Sequence, residues 1–284
     1  MLIILDKIRT VRKIITGIDA VDGAGVKLVR VFGHDDTSDF DPFLMMDAFD
    51  SVDSKDYIKG FPWHPHRGME TITYLVTGHI DHGDSLGNEG SILDGDCQWM
   101  TAGSGIIHQE MPKPSKRMLG FQLWLNLPAK DKMVAPKYHG ISSKDIPVID
   151  EGNRKIHIIA GTYAGKAGAT EGDYVKPLYL DVEVDPNSEW TVDTDKDATL
   201  FIYILQGEGS FGPDSDEFIM AKHAVLFNTG NKFRVKTSNK GIRFILMSGK
   251  PLKEPIAWGG PIVMNTPEEL NLAFQELDEN KFIR

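Results

Sequence analysis

The sequence predicts an all-β protein built as a duplicated antiparallel barrel, with one helix at its C-terminus. Three observations point there. Most apolar runs in the 284-residue chain are short, rich in β-branched and aromatic residues, and bounded by Gly, Pro, Asp or Asn. That pattern belongs to strands folded into sandwiches or barrels. Two stretches also recur, since Thr73–Gly78 aligns with Ile202–Gly207 and Trp99–Gly103 with Leu226–Gly230. Each half therefore holds a strand ending in glycine and later a second one, as in a duplicated barrel. Finally, Thr266-Pro267-Glu268-Glu269 supplies an N-cap, Pro at the first helical position and Glu at the third.

In chain order, Met1-Leu2-Ile3-Ile4-Leu5-Asp6 reads as a first strand, because it has neither a basic lead nor a small-residue cleavage site. Strands are then expected at Val26–Phe32, Thr71–Val76 and Phe121–Leu127. The segment Pro128–Asp150 carries three Pro and several charges without alternation, which suits a connection. It divides the chain into an N-terminal barrel, 1–135, and a C-terminal barrel with the terminal helix, 136–284. Further strands fall at Ile156–Ala160, Leu178–Val184, Leu200–Leu205, Ala224–Phe227 and Ile242–Met247. The helix runs from Pro267 to Glu279, with Leu270, Ala273, Phe274 and Leu277 at helical spacing.

Lys and Arg number 31 against 41 Asp and Glu, a formal charge of −10, with a sequence pI near 5.4. Such a balance repels phosphate backbones and disfavours direct nucleic-acid binding. No apolar run approaches the roughly 18 residues that span a bilayer. Cys97 is the single cysteine, which excludes an internal disulfide and fits a reducing compartment, so the expected location is the cytoplasm.

Chemistry concentrates in two short motifs. In Trp63-His64-Pro65-His66, residues two apart in extended chain share a face, so both imidazoles can converge on one point. Gly103-Ser104-Gly105-Ile106-Ile107-His108-Gln109-Glu110 repeats that spacing with His108 and Glu110. Together they form a three-His, one-carboxylate shell suited to a divalent first-row metal, with open positions for substrate or dioxygen. At the offsets of the internal repeat, His64 and His66 fall on Asp193 and Asp195, and His108 and Glu110 on Val235 and Thr237. One half carries the metal; the other keeps only the scaffold.

His64-Pro65-His66-Arg67-Gly68-Met69-Glu70-Thr71, the stretch Gln98–Pro112 and Gln122–Leu127 resemble the two motifs of the cupin superfamily and, more closely, the pirin family. Gly260–Thr266 and the helix after it resemble the C-terminus of that family. The resemblance implies a bicupin of two jelly-roll barrels whose first barrel holds iron through His64, His66, His108 and Glu110. Fe(II) is the expected ion, and Mn, Co, Ni, Cu and Zn accept the same donors. Glu70, a ligand in many other cupins, is not expected to bind the metal here. Cys97, Gln98, Trp99, Met69 and Met111 are expected to shape the pocket. His79 and His82 read as a solvated hairpin, and Lys113–Arg117 as a solvated loop near the site mouth.

The resemblance also implies a quercetin 2,3-dioxygenase type of activity, with a flavonol and dioxygen as substrates and Glu110 as general base. The alternative is a non-enzymatic, iron-binding redox sensor acting through a protein partner such as a transcription factor. An isomerase acting on a sugar phosphate ranks last, because only Arg67 and Lys113–Arg117 offer cations near the ligands.

Overall fold

A computed structural model describes residues 6–213 and 215–283. The expected strand at Met1–Asp6 lies outside them apart from Asp6, which is in no strand. The all-β class with a C-terminal helix is what the chain adopts, and among the described residues every ladder between strands is antiparallel.

Two compact units result, divided at 17/18, 145/146 and 251/252, against the single division expected at 135/136. One comprises Ile18–Asp145 and the stretch from Leu252 onward; the other comprises the stretch up to Gly17 and Ile146–Pro251. Pairing explains the exchange. Val11–Ile15 adds to the edge strand Ala224–Phe227, while Val263 N donates to Arg67 O at 3.0 Å and so ties the C-terminal segment to the first unit.

In the first unit, a seven-stranded sheet runs in the order Lys137–Ile141, Cys97–Thr101, Met69–Thr77, Met118–Asn126, Phe43–Ser51, Val26–Phe32, Ile18–Asp22. A four-stranded sheet, Phe61–His66, Ile106–Pro112, Ile80–Asp84, Glu89–Ile92, faces it. Both sheets keep free edges, so the jelly roll is a pair of open sheets and not a closed hydrogen-bonded barrel. The strand Met69–Thr77 is almost wholly buried, as a central strand covered on both faces must be.

The helix forms at Pro267–Asp278 with the expected capping box: Glu269 N donates to Thr266 Oγ1 at 3.2 Å, and Thr266 N to Glu269 Oε2 at 3.1 Å. Its Leu270, Ala273 and Leu277 pack on Ile262, Met264 and Phe282.

The second unit repeats the strand register. Ile72 pairs with Trp99 and Leu123 in the first unit; Phe201 pairs with Leu226 and Met247 in the second. Its interior is filled by Trp190, Phe211, Phe227, Phe233 and Phe244, with ring centroids 5.2–6.0 Å apart. Val235, at the position matching His108, belongs to that apolar core, and the exposed Asp193 accepts from Lys232 Nζ at 2.7 Å. The duplicated scaffold therefore has no second cluster of ligands at the matching positions.

Candidate metal centre

His64 and His66 lie on Phe61–His66, and His108 and Glu110 on the adjacent strand Ile106–Pro112. In their antiparallel register His108 stands opposite His64 and Ile106 opposite His66, with a bulge between His108 and Glu110. Alternation puts the three imidazoles on one face, where one nitrogen from each lies within 4.8 Å of the others. Their ring centroids are 4.4, 4.8 and 5.0 Å apart. Among the described residues, this is the one cluster of three or more such donors.

The glycines of the motif let the C-terminal segment approach. At Gly68, with φ +78°, an added Cβ would sit 1.9 Å from Val263 O. That closeness brings Pro261 O within 3.1 Å of His66 Nδ1, and Pro62 O is 2.8 Å from His64 Nδ1. When each Nδ1 donates to its carbonyl, the Nε2 lone pair is left for a ligand bond, the usual means of fixing tautomer and orientation. Arg67, buried beside His66, donates to Ser104 O at 2.7 Å, Glu276 Oε2 at 2.6 Å and Phe282 O at 2.9 Å. Sequence spacing gave no hint of this tie.

Burial keeps the imidazoles neutral. It lowers the His66 pKa to about 3, with the neighbouring His64 adding to the shift and the Pro261 carbonyl opposing it. His64 is lowered by burial against the Pro62 carbonyl, and His108 is held well below its ordinary value by burial and then by His66, His64 and His82. Neutral imidazoles are what a metal requires. Both ring nitrogens of His108 are buried without a hydrogen-bond partner. Unpaired buried polar atoms are costly, and a bound cation would satisfy one of them. The three histidines therefore fit a divalent metal ion.

Glu110 stands outside the triad. Its Oε1 lies 2.9 Å from Thr73 Oγ1 on the facing sheet, and burial raises its pKa to about 7 although the Thr73 hydrogen bond works to lower it. Thr73 Oγ1 is also 2.5 Å from Gln122 Oε1. Glu110, Thr73 and Gln122 line, together with His64 and His66, a cavity of about 710 Å³. That volume is in the range of small-molecule sites, roughly 300–1,000 Å³. Apolar walls come from Leu28, Met45, Phe49, Phe61, Trp124 and Trp258, and Arg30, Asp47 and Asp22 complete the polar part. The cavity-lining role of Arg30, Asp47 and Gln122 was invisible in the sequence, because it arises from cross-strand register.

Other expected residues go elsewhere. Cys97, Gln98, Trp99, Met69 and Met111 do not line the cavity. Cys97 to Thr101 form a fully buried central strand, and Met69 packs with Leu44 and Val263 in a neighbouring apolar cluster. Burial pushes the Cys97 thiol pKa up, which leaves it inert. Glu70 accepts from Thr101 Oγ1 at 2.7 Å and is not in the triad. The hairpin reading holds for His79, paired with Asp81 at 2.8 Å, but His82 is buried, stacked on Tyr138 with Nε2 2.6 Å from its hydroxyl. Lys113 and Arg117 pair with Asp81 and Asp50 at 2.8 and 2.7 Å.

A family model described as pirin matches residues 25–125, and one described as the pirin C-terminal cupin domain matches residues 179–283. A pirin-like protein of Caulobacter vibrioides is 42% identical over 280 residues, covering 97% of this chain and 99% of its own length. A pirin-like protein of Solanum lycopersicum is 39% identical over 266 residues, covering 93% and 90%. The crystal structure of a quercetin 2,3-dioxygenase from Acinetobacter baumannii is similar with a TM-score of 0.88 at 30% identity, over 97% of this chain and 98% of that one.

Proposed function

The chain belongs to the pirin family, and from that premise we propose that it is a metal-dependent dioxygenase opening the oxygenated ring of flavonols such as quercetin. The observation that carries this reading is the triad of neutral histidines, two of them oriented by carbonyl contacts and lining a largely apolar cavity that also contains the buried carboxylate of Glu110. The similarity to a quercetin 2,3-dioxygenase supports it. The ion in this reading is divalent, with Fe(II) first, and Glu110 serves as the fourth ligand as well as the base.

When bound, the ion supplies Lewis acidity toward a substrate hydroxyl and open positions for dioxygen. Glu110 takes the proton of that hydroxyl, and a pKa of about 7 suits a base working near neutrality. Thr73 holds one carboxylate oxygen at 2.9 Å, which fixes the base against rotation. Trp124, Phe49 and Met45 offer flat and apolar walls to the aromatic rings and keep bulk water off the opened ring. In the overall reaction both atoms of dioxygen enter the ring-opened ester, and the hydroxyl-bearing carbon leaves as carbon monoxide.

Bleaching of the flavonol absorbance by Fe(II)-loaded protein tests the proposal. It requires dioxygen and falls at least 100-fold in Glu110→Gln, the scale expected for a general base. Loaded protein that leaves the flavonol intact, with Glu110→Gln behaving as wild type, would overturn the reading in favour of a non-enzymatic metal sensor.

A further inference from the structure

The cavity floor carries a row of polar side chains that the proposed chemistry uses at one end only. Neighbouring strands of the seven-stranded sheet set Arg30 opposite Asp47, Asp47 opposite Gln122, and Gln122 opposite Thr73. Opposite residues of antiparallel neighbours project to the same face, and all four line the cavity. The cavity-lining residues two positions away along the same strands are apolar: Trp124 on one side, Leu28 and Phe49 on the other. At about 4.8 Å per strand, the three steps from Thr73 to Arg30 cover roughly 14 Å. A polar track of that length between apolar walls suits a long, flat aromatic molecule with hydroxyls along its edge.

The end remote from Glu110 is built as a recognition group. Arg30 Nε and Nη2 donate to Asp47 Oδ1 and Oδ2 at 2.9 and 2.8 Å, and Nη2 reaches Asp22 Oδ2 at 2.9 Å. Asp47 is only 3% exposed, so this is a fixed pair and not a mobile surface contact. Among the described residues Arg30 is the one Lys or Arg lining the cavity, and two carboxylates share it. The group thus carries a net negative charge with spare acceptor lone pairs, which accepts hydrogen bonds from phenolic hydroxyls and repels carboxylates and phosphates.

We propose that Arg30, Asp47 and Asp22 are specificity-determining residues that bind phenolic hydroxyls on the substrate ring lying at the end of the polar track away from Thr73, so that the cavity selects neutral polyhydroxylated aromatics. The proposal rests on the flavonol reading for the identity of the substrate.

The test compares quercetin, which has two hydroxyls on its pendant ring, with galangin, which has none. Wild-type kcat/KM favours quercetin by about tenfold or more, the effect of one hydrogen bond to a charged group. Dissociation constants for both compounds, read from quenching of tryptophan emission in Fe(II)-loaded protein without dioxygen, show the same preference independently of turnover. Asp47→Asn and Asp22→Asn bring both ratios toward one. Asp22 is half-exposed at an edge strand, so its substitution does not threaten folding. Equal handling of the two compounds by wild type, or a preference that survives both substitutions, overturns the proposal while the dioxygenase reading stands. Failure of wild type to bind or convert either compound overturns both.

Discussion

Thr73 Oγ1 stands 2.9 Å from Glu110 Oε1, joining the two facing sheets at the edge of the metal centre. The hydroxyl has one proton and is also 2.5 Å from Gln122 Oε1. It cannot donate to both, so either the Gln122 amide turns its nitrogen to Thr73 or the Glu110 carboxyl carries the proton. Thr73 is the one group that pulls the Glu110 pKa down against burial.

Thr73→Val keeps the shape and removes that bond. The Glu110 pKa then rises further, so the acid limb of the kcat/KM profile on quercetin moves to higher pH. At neutral pH the rate falls about tenfold or more. A profile superimposable on wild type would show that Thr73 does not tune the base.

Removing His108 tests the triad. His108→Ala takes away a ligand whose two nitrogens have no protein partner. Chelator competition on the purified variant should show metal affinity reduced by 100-fold or more, whereas His79→Ala, at the exposed hairpin, should bind as wild type. Equal retention of metal by the two variants would exclude the triad as the binding site.

The same burial predicts a pH signature in metal-free protein. His66 has its pKa lowered to about 3, so between pH 3 and 6.5 the folded chain binds fewer protons than the unfolded one. Stability therefore rises with pH across that window and is lost as pH falls, by about 1.4 kcal/mol per pH unit for each proton of difference. Glu110, raised to about 7, acts oppositely between 4.5 and 7, where the folded chain holds the extra proton and stability falls as pH rises. Urea unfolding across pH should show a shallower rise below 6.5 for His66→Asn and a steeper rise between 4.5 and 7 for Glu110→Gln.

Arg67 couples the C-terminal segment to the site. Its ion pair with Glu276 is buried, at 2% and 16% side-chain exposure, and losing one partner of such a pair costs about 3–5 kcal/mol. Arg67→Met should lower the unfolding free energy by that amount and, because His66 is the preceding residue, weaken metal binding as well. Thr266→Ala, at the cap of the same helix, should cost only about 1 kcal/mol. Equal losses for the two variants would show the Arg67 contacts to be dispensable.

What was legible in the sequence depended on how local its cause was. The triad could be read from His64, His66 and His108 because alternation along a strand is a local rule, and the capped helix at Thr266 because its signals lie within four residues. The internal repeat even carried register, pairing Ile72 with Trp99 as Phe201 pairs with Leu226. The bounds of the units were not legible, because the return of the C-terminal segment depends on Arg67, Gly68 and Val263 meeting across nearly two hundred residues. Nor was the contact of Glu110 with Thr73, since it joins strands of two facing sheets across 37 residues of chain.

Simultaneous recording of dioxygen consumption and carbon monoxide release during quercetin turnover by Fe(II)-loaded protein decides whether this site is a flavonol dioxygenase. One carbon monoxide per dioxygen consumed is the expected result, with both signals abolished in His108→Ala. Loaded protein that consumes no dioxygen, or consumes it without releasing carbon monoxide, would contradict it.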